Sequence, residues 1–191
     1  MRLTNVAHLR LPFGRLHGFD VAATPTDVEL PVSFDQRRHV GAGERAGSWM
    51  ALSFRMREPV ALDDLAAAWM AVIARHATLR TAFTPGDDGP RLHEVEVRPG
   101  GWVEHPIAPG QAVNDALREV LDDACSPYRA PSHRLCVLET AEGPTVVLAA
   151  DHAHVDLWSM LVLARDLLAA LGEVREGRVP MLPPAPAFAD H

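Results

Sequence analysis

The chain contains no lysine, a single tyrosine and only two cysteines among its 191 residues. The missing lysine, beside abundant alanine, arginine and proline, points to a GC-rich genome and not to a function. Basic residues are outnumbered 18 to 25 by acidic ones, giving a net charge of -7 and a pI near 5.8. That balance argues against a nucleic-acid binder, which would present a basic face. Cys125 and Cys136 lack the spacing of zinc ligands, and with no secretory leader they are expected to be reduced cytosolic thiols. The opening MRLTNVAHLRLPFG is too polar for a signal peptide. No apolar stretch approaches the ~20 residues that span a bilayer. The expectation is therefore a cytoplasmic protein. What is present is apolar residues, at 48% of the chain. That content excludes a disordered polymer, and the length suffices for one domain with a proper core.

Periodicity supplies the elements. Met1 to Leu11 is expected as an edge strand, and the Pro25 region reads as a loop. Ser33 is positioned to cap a short helix through Val40, ended by Gly41 and Gly43. Trp49 to Met56 alternates as a strand does. Leu62, Leu65, Ala66, Trp69, Val72, Ile73 and His76 form one stripe of an amphipathic helix. Thr81–Thr84 and Leu92–Val97 flank a turn-prone Pro85-Gly86-Asp87-Asp88-Gly89 and predict a hairpin, with a further strand over Trp102–Ile107. Val113, Leu117, Val120, Leu121 and Ala124 define a second helix, stopped by Pro127. Two strands follow, Arg134–Glu139 and Thr145–Ala150, and then a last helix from about Trp158 to Leu171. The tail VPMLPPAPAFADH is too rich in proline for regular structure and reads as an extended linker. There is no internal repeat.

The most informative stretch is VVLAADHAHVDLWS, Val146 to Ser159. Val146 to Ala150 is the continuous apolar run of a strand covered on both faces. Asp151, His152, His154 and Asp156 crowd ionisable groups at its end, where burial is costly unless they are paired or used. Trp158, Leu161, Val162, Arg165 and Leu168 resume at helical spacing. The polar cluster thus sits in a strand-to-helix connection, a favoured place for chemistry. Read from the residues alone, His152 is more often a satisfied strand-end histidine than a catalyst. Asp151 can simply cap the loop, His154 and His76 read as structural, and Trp69 and Trp158 as core aromatics.

Ordered segments shift that balance. Leu30-Pro31-Val32-Ser33-Phe34-Asp35-Gln36 resembles an "LPLSxxQ" opening, and Arg75-His76-Ala77-Thr78-Leu79-Arg80-Thr81-Ala82-Phe83 resembles "RHxxLRTxF". His152, Asp156, Trp158 and Ser159 resemble the signature HHxxxDGWS, and the terminal LPPAPAFADH resembles "LPPxPxxYxDYA". In this order they resemble the condensation-domain superfamily: condensation domains of nonribosomal peptide synthetases and polyketide-associated acyltransferases. The resemblance implies an α/β lobe of the chloramphenicol acetyltransferase-like fold, a mixed sheet packed by three principal helices. Family members are about twice as long, with two lobes around a tunnel. The chain is therefore expected to be the N-terminal lobe, residues 30–177, preceded by residues 1–29 and followed by a linker over 178–191, with the C-terminal lobe missing. Asp151 stands where the signature has its first histidine, as in the stand-alone branch. Leu157 stands where it has glycine, a residue that permits unusual dihedrals and close approach.

The implied reaction moves an acyl group from a thioester on a carrier protein's phosphopantetheine arm to an amine or hydroxyl acceptor, free or carrier-bound, with no directly bound cofactor and no metal. The resemblance assigns His152 as the active-site histidine, a general base or an acceptor-positioning group. It pairs Asp156 with Arg80 in structural support, and leaves Asp151, His154, Trp158 and Ser159 as possible site-lining residues. The isolated lobe is expected to be inactive. Three other readings stay open: a non-catalytic module that docks a carrier protein or synthase, a lobe that oligomerises to complete its site, and a zinc site built on His152, His154 and Asp156.

Overall fold

The computed structural model describes residues 11–183 and residue 185. The strand expected for Met1 to Leu11 and most of the terminal LPPAPAFADH lie outside them. The described chain runs β1 (Gly14–Leu30), α1 (Phe34–Val40), β2 (Trp49–Arg55), α2 (Leu62–Arg75), a single 3-10 turn (Ala77–Arg80), β3 (Thr81–Thr84), β4 (Arg91–His105), α3 (Val113–Ala124), β5 (His133–Thr140), β6 (Thr145–Asp151) and α4 (Leu157–Arg175). No described helix is long and apolar enough to cross a membrane.

The strands form one six-stranded sheet in the order β2-β6-β5-β1-β4-β3. Every pairing in it is antiparallel, so the α/β lobe is as expected but its sheet is not mixed. Two hairpins account for part of this. Gly89 (φ 120°) turns β3 into β4, and Gly143 (φ 109°) turns β5 into β6, conformations only glycine adopts freely.

Two sequence expectations fail at prolines, for one reason. The Pro25 loop is part of the long β1, and the two strands expected over Leu92–Val97 and Trp102–Ile107 are one strand, β4. Pro25 opposes Val95, and Pro99 opposes Val21. β5 covers β1 only from Gly14 to Phe19, and β3 covers β4 only from Arg91 to Glu94. Each proline therefore sits where its strand has a neighbour on one side, so the missing N–H costs no ladder bond on the other.

β6 explains its own apolar run. Val146, Leu148 and Ala150 face one cluster with Trp69, Ile73, Met160, Leu163 and Leu167 of α2 and α4. Val147 and Ala149 face a second, with Leu117, Leu121, Cys125 and Cys136 on the α3 side. Helices cover both faces, so alternation disappears. Both cysteines are free and buried. Burial pushes both thiols up, Cys136 to about 12, which makes them inert packing groups.

Between α2 and α4 lies a charge cluster the sequence did not suggest. Asp166, 3% exposed, has its Oδ2 3.0 Å from Arg75 Nε, while His76 Nε2 donates to the same oxygen at 2.8 Å. Arg165 donates to Oδ1. His76 is thus a hydrogen-bond donor and not only a member of the packing stripe. Burial pulls the His76 imidazole below its ordinary value against the opposing carboxylate. Burial raises the Asp166 carboxyl, but the His76 and Arg165 hydrogen bonds and the neighbouring guanidinium charges together hold it below the ordinary carboxylate value.

Candidate active site

β6 delivers its last residue, Asp151, to complete burial. A carboxylate there needs donors, and it has them. Ser48 Oγ donates to Oδ2 at 2.7 Å, and the Ala153 N–H to Oδ1 at 2.8 Å. His39 Nε2 lies 3.2 Å from Oδ1 and donates to Oδ2 at 3.4 Å. The Ala153 bond is an Asx-type turn, reinforced by His154 N–H on Asp151 O at 3.0 Å, so the chain reverses immediately after the strand. Asp151 lies beneath the site and does not line it.

That reversal lifts His152 out of the sheet. Its N–H donates to Ser48 O at 3.0 Å, and the residue is exposed. Its Nδ1 lies 2.8 Å from Val155 O. A carbonyl only accepts, so Nδ1 carries the proton and Nε2 of the neutral ring holds a free lone pair. The side chain is thus fixed in the tautomer a general base requires, on an open surface.

His154 has the opposite environment. It is 8% exposed, and its Nδ1 lies 3.2 Å from Thr81 Oγ1, whose own hydrogen goes to Thr78 O. The ring therefore donates from Nδ1 and leaves a buried, unpartnered Nε2. Burial pulls its pKa down to about 4, against the nearby Asp151 charge, so it stays neutral. Its structural reading fits this setting, and as a lining residue it is out of reach of solvent.

Asp156 and Arg80 do not form the expected pair. Asp156 is the N-cap of α4: its Oδ1 accepts from the Ser159 N–H and Oγ, each at 2.7 Å. Those bonds, the Ser159 hydroxyl foremost, hold the carboxyl below its ordinary value. Arg80 Nη1 donates instead to the carbonyls of Ile73, at 2.9 Å, and Ala74. The physical reason is supply: the last turn of α2 leaves carbonyls without helical partners, and the 3-10 turn places the guanidinium against them. Asp156, at a helix N-terminus, already has donors of its own.

Trp158 is 74% exposed, so it is no core aromatic, whereas Trp69 at 1% is. Ser159 is half-buried, and its hydroxyl is committed to Asp156. Leu157 is the first residue of α4, and no described non-glycine residue has a positive φ. The leucine in the glycine position is therefore unstrained. Among the described residues no group of three or more His, Cys, Asp or Glu side chains could hold a metal ion. His152, His154 and Asp156 are each turned to a different partner.

Sequence reasoning missed His39 and Ser48, and gave Gln36 no role beyond its place in the opening segment. Gln36 completes a capping box with Ser33 and also donates to Ala153 O at 3.1 Å, so α1 grips the histidine turn. One helical step on, His39 meets Asp151, and its ring stands edge-on to His152 with centroids 5.7 Å apart. Thr78 Oγ1 holds His154 O at 2.9 Å. The segments around Gln36, Thr78 and His152, far apart in sequence, thus meet at one turn. The available signal was the i, i+3 spacing of Gln36 and His39 after a capped start. A polar cavity of about 440 Å³, bordered by Arg45, Asp122, Tyr128 and Arg129, lies beside this cluster.

No protein-family model matches the chain. A curated protein of Salinispora arenicola (strain CNS-205), "Probable non-canonical nonribosomal peptide synthetase (NRPS) CymA", is 30% identical over 175 residues, covering 87% of this chain and 2% of that protein. Among solved structures, PapA2 acyl transferase superposes with a TM-score of 0.78 at 18% identity, over 98% of this chain and 44% of that one. The X-domain from teicoplanin biosynthesis gives 0.70 at 27% identity, over 88% and 38%. The starter condensation domain of rhizomide synthetase gives 0.64 at 17%, over 86% and 42%. The chain spans less than half the length of these solved chains.

Proposed function

Because the chain belongs to the condensation-domain superfamily, we propose that it is the histidine-bearing lobe of a condensation-type acyltransferase acting on carrier-bound thioesters in nonribosomal peptide or polyketide biosynthesis. The observation that carries this is the 2.8 Å contact of His152 Nδ1 with Val155 O on an exposed turn, which in the neutral ring places the proton on Nδ1 and the lone pair on Nε2. An amine or hydroxyl placed at Nε2 attacks the thioester carbonyl and forms the new C–N or C–O bond as its proton passes to the imidazole. The C–S bond then breaks, and the imidazolium returns the proton to the departing phosphopantetheine thiolate. Two features favour a second lobe completing the channel. His152 stands on an open face, and Trp158, Leu161 and Leu168 leave apolar surface along α4.

The test incubates the full-length protein with acyl-loaded carrier and a panel of amine and hydroxyl acceptors. Product dependent on His152 is expected, with His152→Ala lowering the rate by about two to four orders of magnitude. A docking role is the second reading, supported by the likeness to an X-domain that has been solved in complex with OxyB, at a TM-score of 0.61 and 26% identity. Tight carrier or partner binding with no His152-dependent product across the panel would favour docking.

A further inference from the structure

We propose that His39 is a positioning residue for His152, acting through Asp151; this rests on His152 being the base of the proposed transfer. Arg45 Nη2 lies 3.3 Å from His39 Nδ1, and arginine only donates, so Nδ1 holds a lone pair and Nε2 the proton. Nε2–H points at the Asp151 carboxylate. That carboxylate fixes the Ala153 N–H and hence the turn whose Val155 carbonyl sets the His152 tautomer. The chain of contacts is Arg45 to His39 to Asp151 to the turn to His152. It begins in α1 and the loop after it and crosses more than a hundred residues of sequence. The His39 ring also flanks His152 directly, edge-on at 5.7 Å.

Without His39, a fully buried carboxylate loses one of its three side-chain and backbone donors, Ser48 and Ala153 remaining. The remaining pair cannot fix both oxygens as firmly, and the turn gains freedom to release Val155 O from His152 Nδ1. The effect belongs to the population of the His152 tautomer and not to global folding, since Ser48 and the Ala153 N–H still satisfy the carboxylate.

The test is imidazole nitrogen NMR on the intact chain, which reads protonation site by site and needs no substrate. In the wild type, His39 is expected as the Nε2–H tautomer and His152 as the Nδ1–H tautomer. His39→Phe, which keeps a ring but removes the donor, should lower the Nδ1–H to Nε2–H ratio at His152 by about 3- to 10-fold, the factor one hydrogen bond's net contribution corresponds to. His39→Gln, which restores an N–H donor, should recover it. A wild-type spectrum with the His39 proton on Nδ1 overturns the proposal even if His39→Phe does not fold. So does an unchanged His152 ratio in a folded His39→Phe. Because the readout is independent of transfer, absence of acyl transfer by the wild type would refute the proposed reaction and leave the His39–Asp151–His152 coupling standing or falling on these spectra alone.

Discussion

Three ionisable residues at the end of β6 and in the turn after it have three different fates, set by their partners. Asp151 is buried and fully supplied with donors, His154 is buried and half supplied, and His152 is exposed with one nitrogen fixed. Asp156, outside the cluster, works as a helix cap. Its loss should therefore cost what a cap costs: Asp156→Ala is expected to lower stability by about 0.5–2 kcal/mol, seen as a modest shift in urea midpoint. A loss of several kcal/mol would revive an ion pair with Arg80. Asp166→Ala is expected to cost more, about 3–5 kcal/mol, because it strands Arg75 and His76 between two helices. The ordering of the two midpoints checks the assignment of which aspartate is structural.

At the scale of elements, β6 is the strand that both clusters share. Leu148, fully buried on the α2 and α4 side, should cost about 2–5 kcal/mol when cut to alanine. A midpoint shift smaller than that of Asp156→Ala would contradict the two-sided packing of this strand. Most elements were legible because their signals are local: the Ser33 cap, the Leu62–Ile73 stripe, the Gly89 and Gly143 turns, the apolar run of β6. Their errors are equally physical. Pro25 and Pro99 punctuate a sequence, and only the lengths of the neighbouring strands reveal that they sit on uncovered edges. Of the candidate site, the turn that carries His152 was legible, because its neighbours in sequence hold it. The site was illegible at His39, whose partner lies 112 residues away, and at Arg80, which satisfies carbonyls a few residues upstream instead of a distant carboxylate.

For the whole molecule, buried neutral histidines set the response to acid. Burial pulls His133 to about 3 and His154 to about 4, from 6.5. The unfolded chain binds protons at these residues near pH 6.5 while the folded chain does not. Their stabilising contribution is therefore complete above pH 6.5 and is lost progressively as pH falls from there to about 4 for His154 and about 3 for His133. Urea midpoints should drop between about pH 7 and about pH 4.5, and His154→Gln should flatten the drop; equal midpoints at the two pH values would contradict the burial of uncharged rings. The same architecture that keeps these histidines dry exports one other, His152, to the surface. The most direct test of that division is the rate of acyl transfer from loaded carrier by the full-length protein, wild type against His152→Ala. The account predicts a ratio of at least about 100; a ratio near one, with both proteins folded and transferring, would contradict it.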